Sequence, residues 1–213
     1  MFDRLVARAD VEEHVVLGSA LGFLAVHGGI EPGTETIARA AAARTGGSAY
    51  VVTQPQARGW HVSSHRIEVE RVPRLAAFLD HVEVVVSVHG YHVPGAPDAI
   101  LVGGGRRDLA ADLAERLRAR IDEMPVVDDI DRIPRSMRGV DPRNPVNRTR
   151  GGGVQLELPP SARIVDASSD GIDGTDGTDG AHGTVASVGA SVADRLTVAL
   201  VEFAAALARS GTP

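Results

Sequence analysis

His27 and Glu31 stand four positions apart in Leu21-Gly-Phe-Leu-Ala-Val-His-Gly-Gly-Ile-Glu-Pro-Gly-Thr34, where an apolar run of strand length ends in a Gly/Pro loop. Such a loop can bend until an imidazole and a carboxylate point at one spot. A second apolar run, Glu83-Val-Val-Val-Ser-Val-His89-Gly90, ends in the same way. Two strands closing on His-Gly are hard to credit to packing, because the carboxyl edge of an α/β sheet is where ligands bind. Imidazole and carboxylate are the groups that ligate metals or move protons. The plainer alternative is a tight turn with solvated side chains. His92, beyond the second run, is less well held by its neighbours.

A third stretch, Gly151-Gly-Gly-Val-Gln-Leu-Glu-Leu158, reads as a strand with Gln155 and Glu157 on one face and Val154, Leu156 and Leu158 on the other. The glycines before it allow close backbone approach, which favours a cleft carboxylate at Glu157 over a solvated edge group. Trp60-His-Val-Ser-Ser-His65 alternates apolar and polar residues and predicts a short strand or strand end. Its histidines could face a cleft, but the reading preferred for them is hydrogen-bonded surface or core groups.

The residues that are missing narrow the chemistry further. The chain has no cysteine, which removes disulfides, thiolate zinc sites, iron–sulfur clusters and cysteine nucleophiles. All 22 basic residues are arginine, so there is no phosphate-loop lysine, no Schiff-base lysine and no Ser-x-x-Lys hydrolase. Neither Gly-x-Ser-x-Gly nor His-Glu-x-x-His occurs. A net charge of −6 without basic clusters argues against nucleic acid as a partner. No run approaches the roughly 18 apolar residues of a membrane span. The start Met1–Asp10 lacks a basic segment followed by an apolar one, which makes a cytoplasmic protein the expectation, with release by lysis open.

The elements that must position these groups follow in chain order. Asp10–Leu17 and Leu21–Val26 predict strands, and Glu35–Arg44 a helix stopped by Gly46-Gly47. Ser48–Thr53 predicts a buried strand, and Val72–His81 has helical spacing with Pro73 near its start. The unbroken valines before His89 suggest a strand covered on both faces, hence parallel or mixed pairing. Ala99–Gly105 and Arg106–Glu123 make a strand, a glycine turn and a helix. Gly103-Gly-Gly-Arg-Arg-Asp108 is too incomplete for a dinucleotide fingerprint. Pro125–Gly153 predicts a long surface loop of the kind that often carries function. The sum is an α/β fold: one catalytic domain over 1–213, with a mixed, largely parallel sheet flanked by helices. The Asp/Gly/Thr repeat at about 166–187 reads as a flexible low-complexity insert, because its period of three fits no calcium loop. Ser191–Arg209 predicts a long packed helix.

Taken together, the stretches around His27–Thr34, Trp60–Ser64, Ser87–Gly90, Leu101–Gly104, Asn147-Arg148 and Gly153–Leu158 resemble the poly-gamma-glutamate hydrolases of phages and bacteria. Those are zinc peptidases with a carboxypeptidase-like fold. The resemblance covers about the first 165 residues, in family order. It implies zinc as cofactor, His27, Glu31 and His89 as its ligands, and Glu157 as the catalytic carboxylate. Only Gly28, Gly29 and Ile30 intervene between His27 and Glu31, one residue fewer than is typical of the family.

The implied activity is zinc-dependent hydrolysis of gamma-glutamyl amide bonds in poly-gamma-glutamate or a related peptide. A polyanion meeting a chain of charge −6 needs local cations. Arg148 and Arg150, with Asn147 beside them, are the expected substrate-binding residues, since guanidinium grips carboxylates bidentately. The alternatives are another carboxypeptidase-like amidohydrolase, acting on a cell-wall peptide or an acylated amino acid, and a non-catalytic module that binds an anionic ligand.

Overall fold

A computed structural model describes residues 1–93, 98–164 and 190–211. The insert expected at about 166–187 lies outside the described residues. Seven strands form one sheet: β1 (Glu12–Val16), β2 (Leu21–Gly28), β3 (Ser48–Thr53), β4 (Val84–Gly90), β5 (Ile100–Gly103), β6 (Val126–Val127) and β7 (Gly153–Leu158). Their order is β1-β3-β2-β4-β7-β5-β6. The pairs β2–β3, β2–β4, β4–β7 and β5–β6 are parallel, while β1–β3 and β5–β7 are antiparallel. Parallel strands are buried on both faces, which is why β2 and β4 are written as nearly continuous apolar runs, whereas β7 alternates apolar with polar residues.

One face of the sheet is covered by α2 (Thr34–Thr45), α4 (Arg107–Arg120) and α6 (Val192–Arg209). Phe23, Val86 and Leu156 from the strands share a buried cluster with Ile37, Leu113 and Phe203 from these helices. The start of α6 is fixed by a reciprocal cap in which Ser191 Oγ accepts from the Asp194 backbone and Asp194 Oδ2 from that of Ser191. The other face carries α1 (Phe2–Val6) and α3 (Pro73–His81) over Leu24, Val26, Tyr50 and Val85. A Cβ at Gly22 would sit 2.6 Å from Phe78 Cζ, so the glycine makes room for that ring. All four phenylalanines are buried, one way a chain with 3% aromatic residues still fills both layers.

Two sequence expectations change. Trp60–His65 is not a strand; its only regular part is a 3-10 turn at Ser64–Arg66. The Gln54 side chain takes the place of a neighbouring strand there, accepting from Trp60 N–H at 2.7 Å and donating to Trp60 O at 3.4 Å. The long segment 125–153 contains the short strand β6 and 3-10 turns at Arg135–Met137 and Pro145–Asn147. Among the described residues no helix is long and apolar enough to cross a membrane.

Candidate active site

Strict alternation along β2 would send His27 to the α2 side with Phe23 and Ala25. The ladder to β3 prevents this: Ala25 pairs with Val51 but Gly28 pairs with Thr53, so β2 carries one extra residue. This bulge rotates Gly28 toward α2, where a Cβ would meet Glu35 Cβ at 2.9 Å, and turns His27 to the opposite face. That face also bears Ser87 and His89 of β4 and Gln155 and Glu157 of β7. These four are register partners across the parallel pair, Ser87 with Gln155 and His89 with Glu157. Glu31 arrives by a single turn in which its N–H donates to His27 O at 2.9 Å. Gly29 is held at φ +83° in that turn, and a Cβ there would lie 1.9 Å from Gln54 O. The short His27–Glu31 spacing is therefore compatible with convergence of the two side chains.

His27 Nδ1 lies 2.9 Å from Glu31 Oε1 and 3.2 Å from His89 Nδ1, and His89 Nδ1 lies 3.5 Å from Glu31 Oε2. Ligand atoms about 2.1 Å from one tetrahedral ion stand about 3.4 Å apart, so this spacing suits a small cation. Protonation points the same way. His27 Nε2 is 2.9 Å from Val62 O, and a carbonyl only accepts, so Nε2 carries a hydrogen, and departure of the proton that Nδ1 shares with Glu31 leaves the Nδ1 lone pair facing the cluster. His89 Nε2 faces Ser87 Oγ at 3.0 Å, which can accept its hydrogen and leave Nδ1 free as well. Outward ring N–H groups held by protein oxygens are the usual support of metal-ligating histidines.

Electrostatics describe a site that holds positive charge. Burial would push the His27 imidazole down, but the hydrogen bond and charge of Glu31 outweigh it and raise its pKa. Burial would push the Glu31 carboxyl up, yet the hydrogen bonds and charges of His27 and His89 hold it well below the usual carboxylate range. The donor set fits a divalent metal: two imidazoles and a carboxylate, with an open side toward the cleft.

Glu157 is buried beside this cluster. Burial first, and then the negative charge of Glu31, push its carboxyl well above the ordinary range, against a hydrogen bond from Gln155. A carboxylate in such surroundings has an enhanced proton affinity. Its orientation is fixed by a relay that the sequence did not reveal. Asn144 Nδ2 donates to Gln155 Oε1 at 2.9 Å, and Gln155 Nε2 donates to Glu157 Oε1 at 2.9 Å.

These groups open into a cleft of about 610 Å³. His61 and His65 help to line it, and the His61 ring stacks on His27 at a centroid distance of 4.4 Å. Both imidazoles are surface-exposed, as expected, and the surface they occupy is the cleft wall. Of the expected substrate-binding residues, none lines the cleft. Asn147 braces the 125–153 segment, donating to Gly139 O and Asp141 O and accepting from Gly105 N–H. Arg148 pairs with Glu70, and Arg150 with Glu83 at 3.1 Å. The guanidinium in the lining is Arg135.

A mixed α/β sheet bearing an imidazole–carboxylate centre at the carboxyl ends of its strands, with a buried carboxylate beside it, defines a carboxypeptidase-like hydrolase. The family model for poly-gamma-glutamate hydrolase matches residues 6–171, and the chain belongs to that family. Among solved structures, a bacteriophage poly-gamma-glutamate hydrolase matches with a TM-score of 0.70 at 22% identity, over 94% of this chain and 91% of its own. A zinc-free form of YndL matches with a TM-score of 0.65 at 25% identity, over 96% of this chain and 92% of its own. A Burkholderia mallei protein assigned as a carboxypeptidase shares the fold at a TM-score of 0.51 and 10% identity, over 95% of this chain and 59% of its own. No curated protein sequence matches significantly.

Proposed function

We propose that this chain is a zinc-dependent hydrolase of gamma-glutamyl amide bonds, acting on poly-gamma-glutamate or a related peptide. The observation that carries the reading is the convergence of His27, Glu31 and His89 on one point beside Glu157, in an open cleft. Zinc held by those three residues would supply Lewis acidity, acidifying water and polarising an amide carbonyl. Glu157 takes the proton of the attacking water and delivers it to the departing nitrogen. Gln155 keeps the accepting carboxylate turned toward the cleft, and the Val62 carbonyl and Ser87 hydroxyl keep the two imidazoles in the required tautomers. The test is digestion of gamma-linked and alpha-linked polyglutamate by the zinc-loaded protein. Cleavage of the gamma-linked polymer alone, abolished by a chelator, is expected. Cleavage of the alpha-linked polymer instead, or stoichiometric zinc with no hydrolysis of either, would overturn the substrate or the activity.

Substrate charge gives a second expectation. Arg135 lines the cleft and makes no ion pair among the described residues, so its guanidinium is available to a substrate carboxylate. Arg135→Gln should raise KM for the gamma-linked polymer about tenfold, with kcat within about threefold. A charged hydrogen bond is worth roughly 1.5–3 kcal/mol before solvent screening reduces it. Raising the salt concentration should narrow the gap, whereas Arg148→Gln should leave KM unchanged. Equal KM values for Arg135→Gln and the parent protein across the salt series would remove Arg135 from substrate recognition.

A further inference from the structure

The buried Arg163 is used by neither the metal centre nor the proton transfer described above, although charged side chains are rarely buried without a task. It closes α5 (Pro160–Arg163), the short helix that follows β7. Its Nη1 donates to Pro32 O at 2.5 Å, and its Nε donates to Leu158 O at 3.2 Å. A Cβ on Gly90 would stand 2.5 Å from Arg163 Nε and 2.8 Å from Cζ, so the guanidinium lies directly against that glycine. Pro32 follows Glu31, Leu158 follows Glu157 and Gly90 follows His89. One planar group therefore touches the residue after each of two metal-site side chains and after the proton-transfer carboxylate. The same junction is tied from inside: Gly90 N–H donates to Glu31 Oε2 at 2.8 Å, and Tyr91 N–H donates to Leu158 O at 3.0 Å.

We propose that Arg163 is a positioning residue whose guanidinium holds the ends of the Glu31 loop, β4 and β7 in the mutual register that the metal centre requires. The proposal rests on the zinc reading of the site. The three segments come from distant parts of the chain, and only β4 and β7 are joined to each other by a ladder. The Glu31 loop has no ladder to β7, and the guanidinium supplies that link. A fork of fixed geometry suits the task, since displacement of a ligand by about 1 Å is enough to spoil a site.

The experiment measures zinc affinity by chelator competition, together with kcat and KM, on the parent protein, Arg163→Met and Arg163→Lys. Methionine keeps the buried stem but loses both donors. Lysine keeps the charge, but its single nitrogen cannot stand where Nε and Nη1 both stood. Both variants are expected to fold and to bind zinc about 10–100-fold more weakly, the usual cost of removing a group that orients metal ligands. At saturating zinc, kcat should stay lowered while KM stays near the parent value. Folded variants with parental zinc affinity and kcat would overturn the proposal. Failure of both to fold would do so too, by making the role purely structural. A parent protein that binds no zinc would instead overturn the reading of the site on which the proposal rests.

Discussion

His89→Ala protein should purify folded and contain no stoichiometric zinc. If the roughly 10–16 kcal/mol of a structural zinc site is shared among its ligands, one of three carries about 4 kcal/mol, or about 10³-fold in affinity. The fold should tolerate the change because His89 is the penultimate residue of β4 and its ring faces the cleft rather than either apolar cluster. Thermal denaturation separates the two effects. Zinc at a thousandfold excess over Kd stabilises a native site by about 4 kcal/mol. The parent protein should therefore melt several degrees higher with zinc, and His89→Ala should not. His27→Ala should behave in the same way, with a further small loss because Val62 O forfeits its donor. Full zinc occupancy in either variant would eliminate the proposed ligand set. Glu31→Gln retains an oxygen that can accept from Gly90 N–H, so its zinc loss should be partial.

The parts of this site that could be read from the sequence are those that local pattern dictates. Buried parallel strands leave unbroken apolar runs, and an imidazole ending such a run stands out, as His27 and His89 did. Alternation in Val154–Leu158 was enough to turn Glu157 away from the core, and three of those residues do lie in the apolar cluster under α4 and α6. Pattern could not reveal the bulge in β2, and without it His27 would have been assigned to the α2 side. The expected arginines lie away from the cleft lining for another reason. Arg148 and Arg150 sit next to the right strand, but their carboxylate partners Glu70 and Glu83 are 78 and 67 positions away in sequence. Arg135 carries no local mark at all; it reaches the cleft because its segment is tied to β7 through Gln155, which donates to Met137 O and accepts from Asn144 Nδ2. His61 was legible only as an alternating pattern, since Gln54 and the burial of Val62 fix its loop. The linkage of Arg163 to the Glu31 loop and to the ends of β4 and β7 is a property of the assembled fold alone.

Glu157→Gln should lower turnover by roughly 10²–10⁴-fold, the usual worth of a positioned acid–base group, while zinc content and KM remain near the parent values. Glutamine keeps the shape of the side chain, and its Oε1 can still accept from Gln155 Nε2, so Asn144, Gln155 and residue 157 stay linked. What it cannot do is take a proton from water. Stability should move in the opposite direction. In the metal-free protein Glu157 is a buried carboxyl whose pKa is raised by burial and by Glu31. A group with a raised folded-state pKa favours the fold most below its unfolded pKa, and that contribution is lost as the pH rises through the folded value. The metal-free Glu157→Gln protein, which has no such ionisation, should therefore gain on the parent protein as the pH rises above the usual carboxylate range. An inactive variant that melts above its parent is the pattern expected when a group is retained for chemistry at the expense of stability. Unchanged turnover would make Glu157 a bystander at the sheet edge. Loss of zinc together with turnover would make it a ligand and leave Glu31 as the spare carboxylate. Zinc stoichiometry, turnover and the melting curve measured on one preparation separate these outcomes.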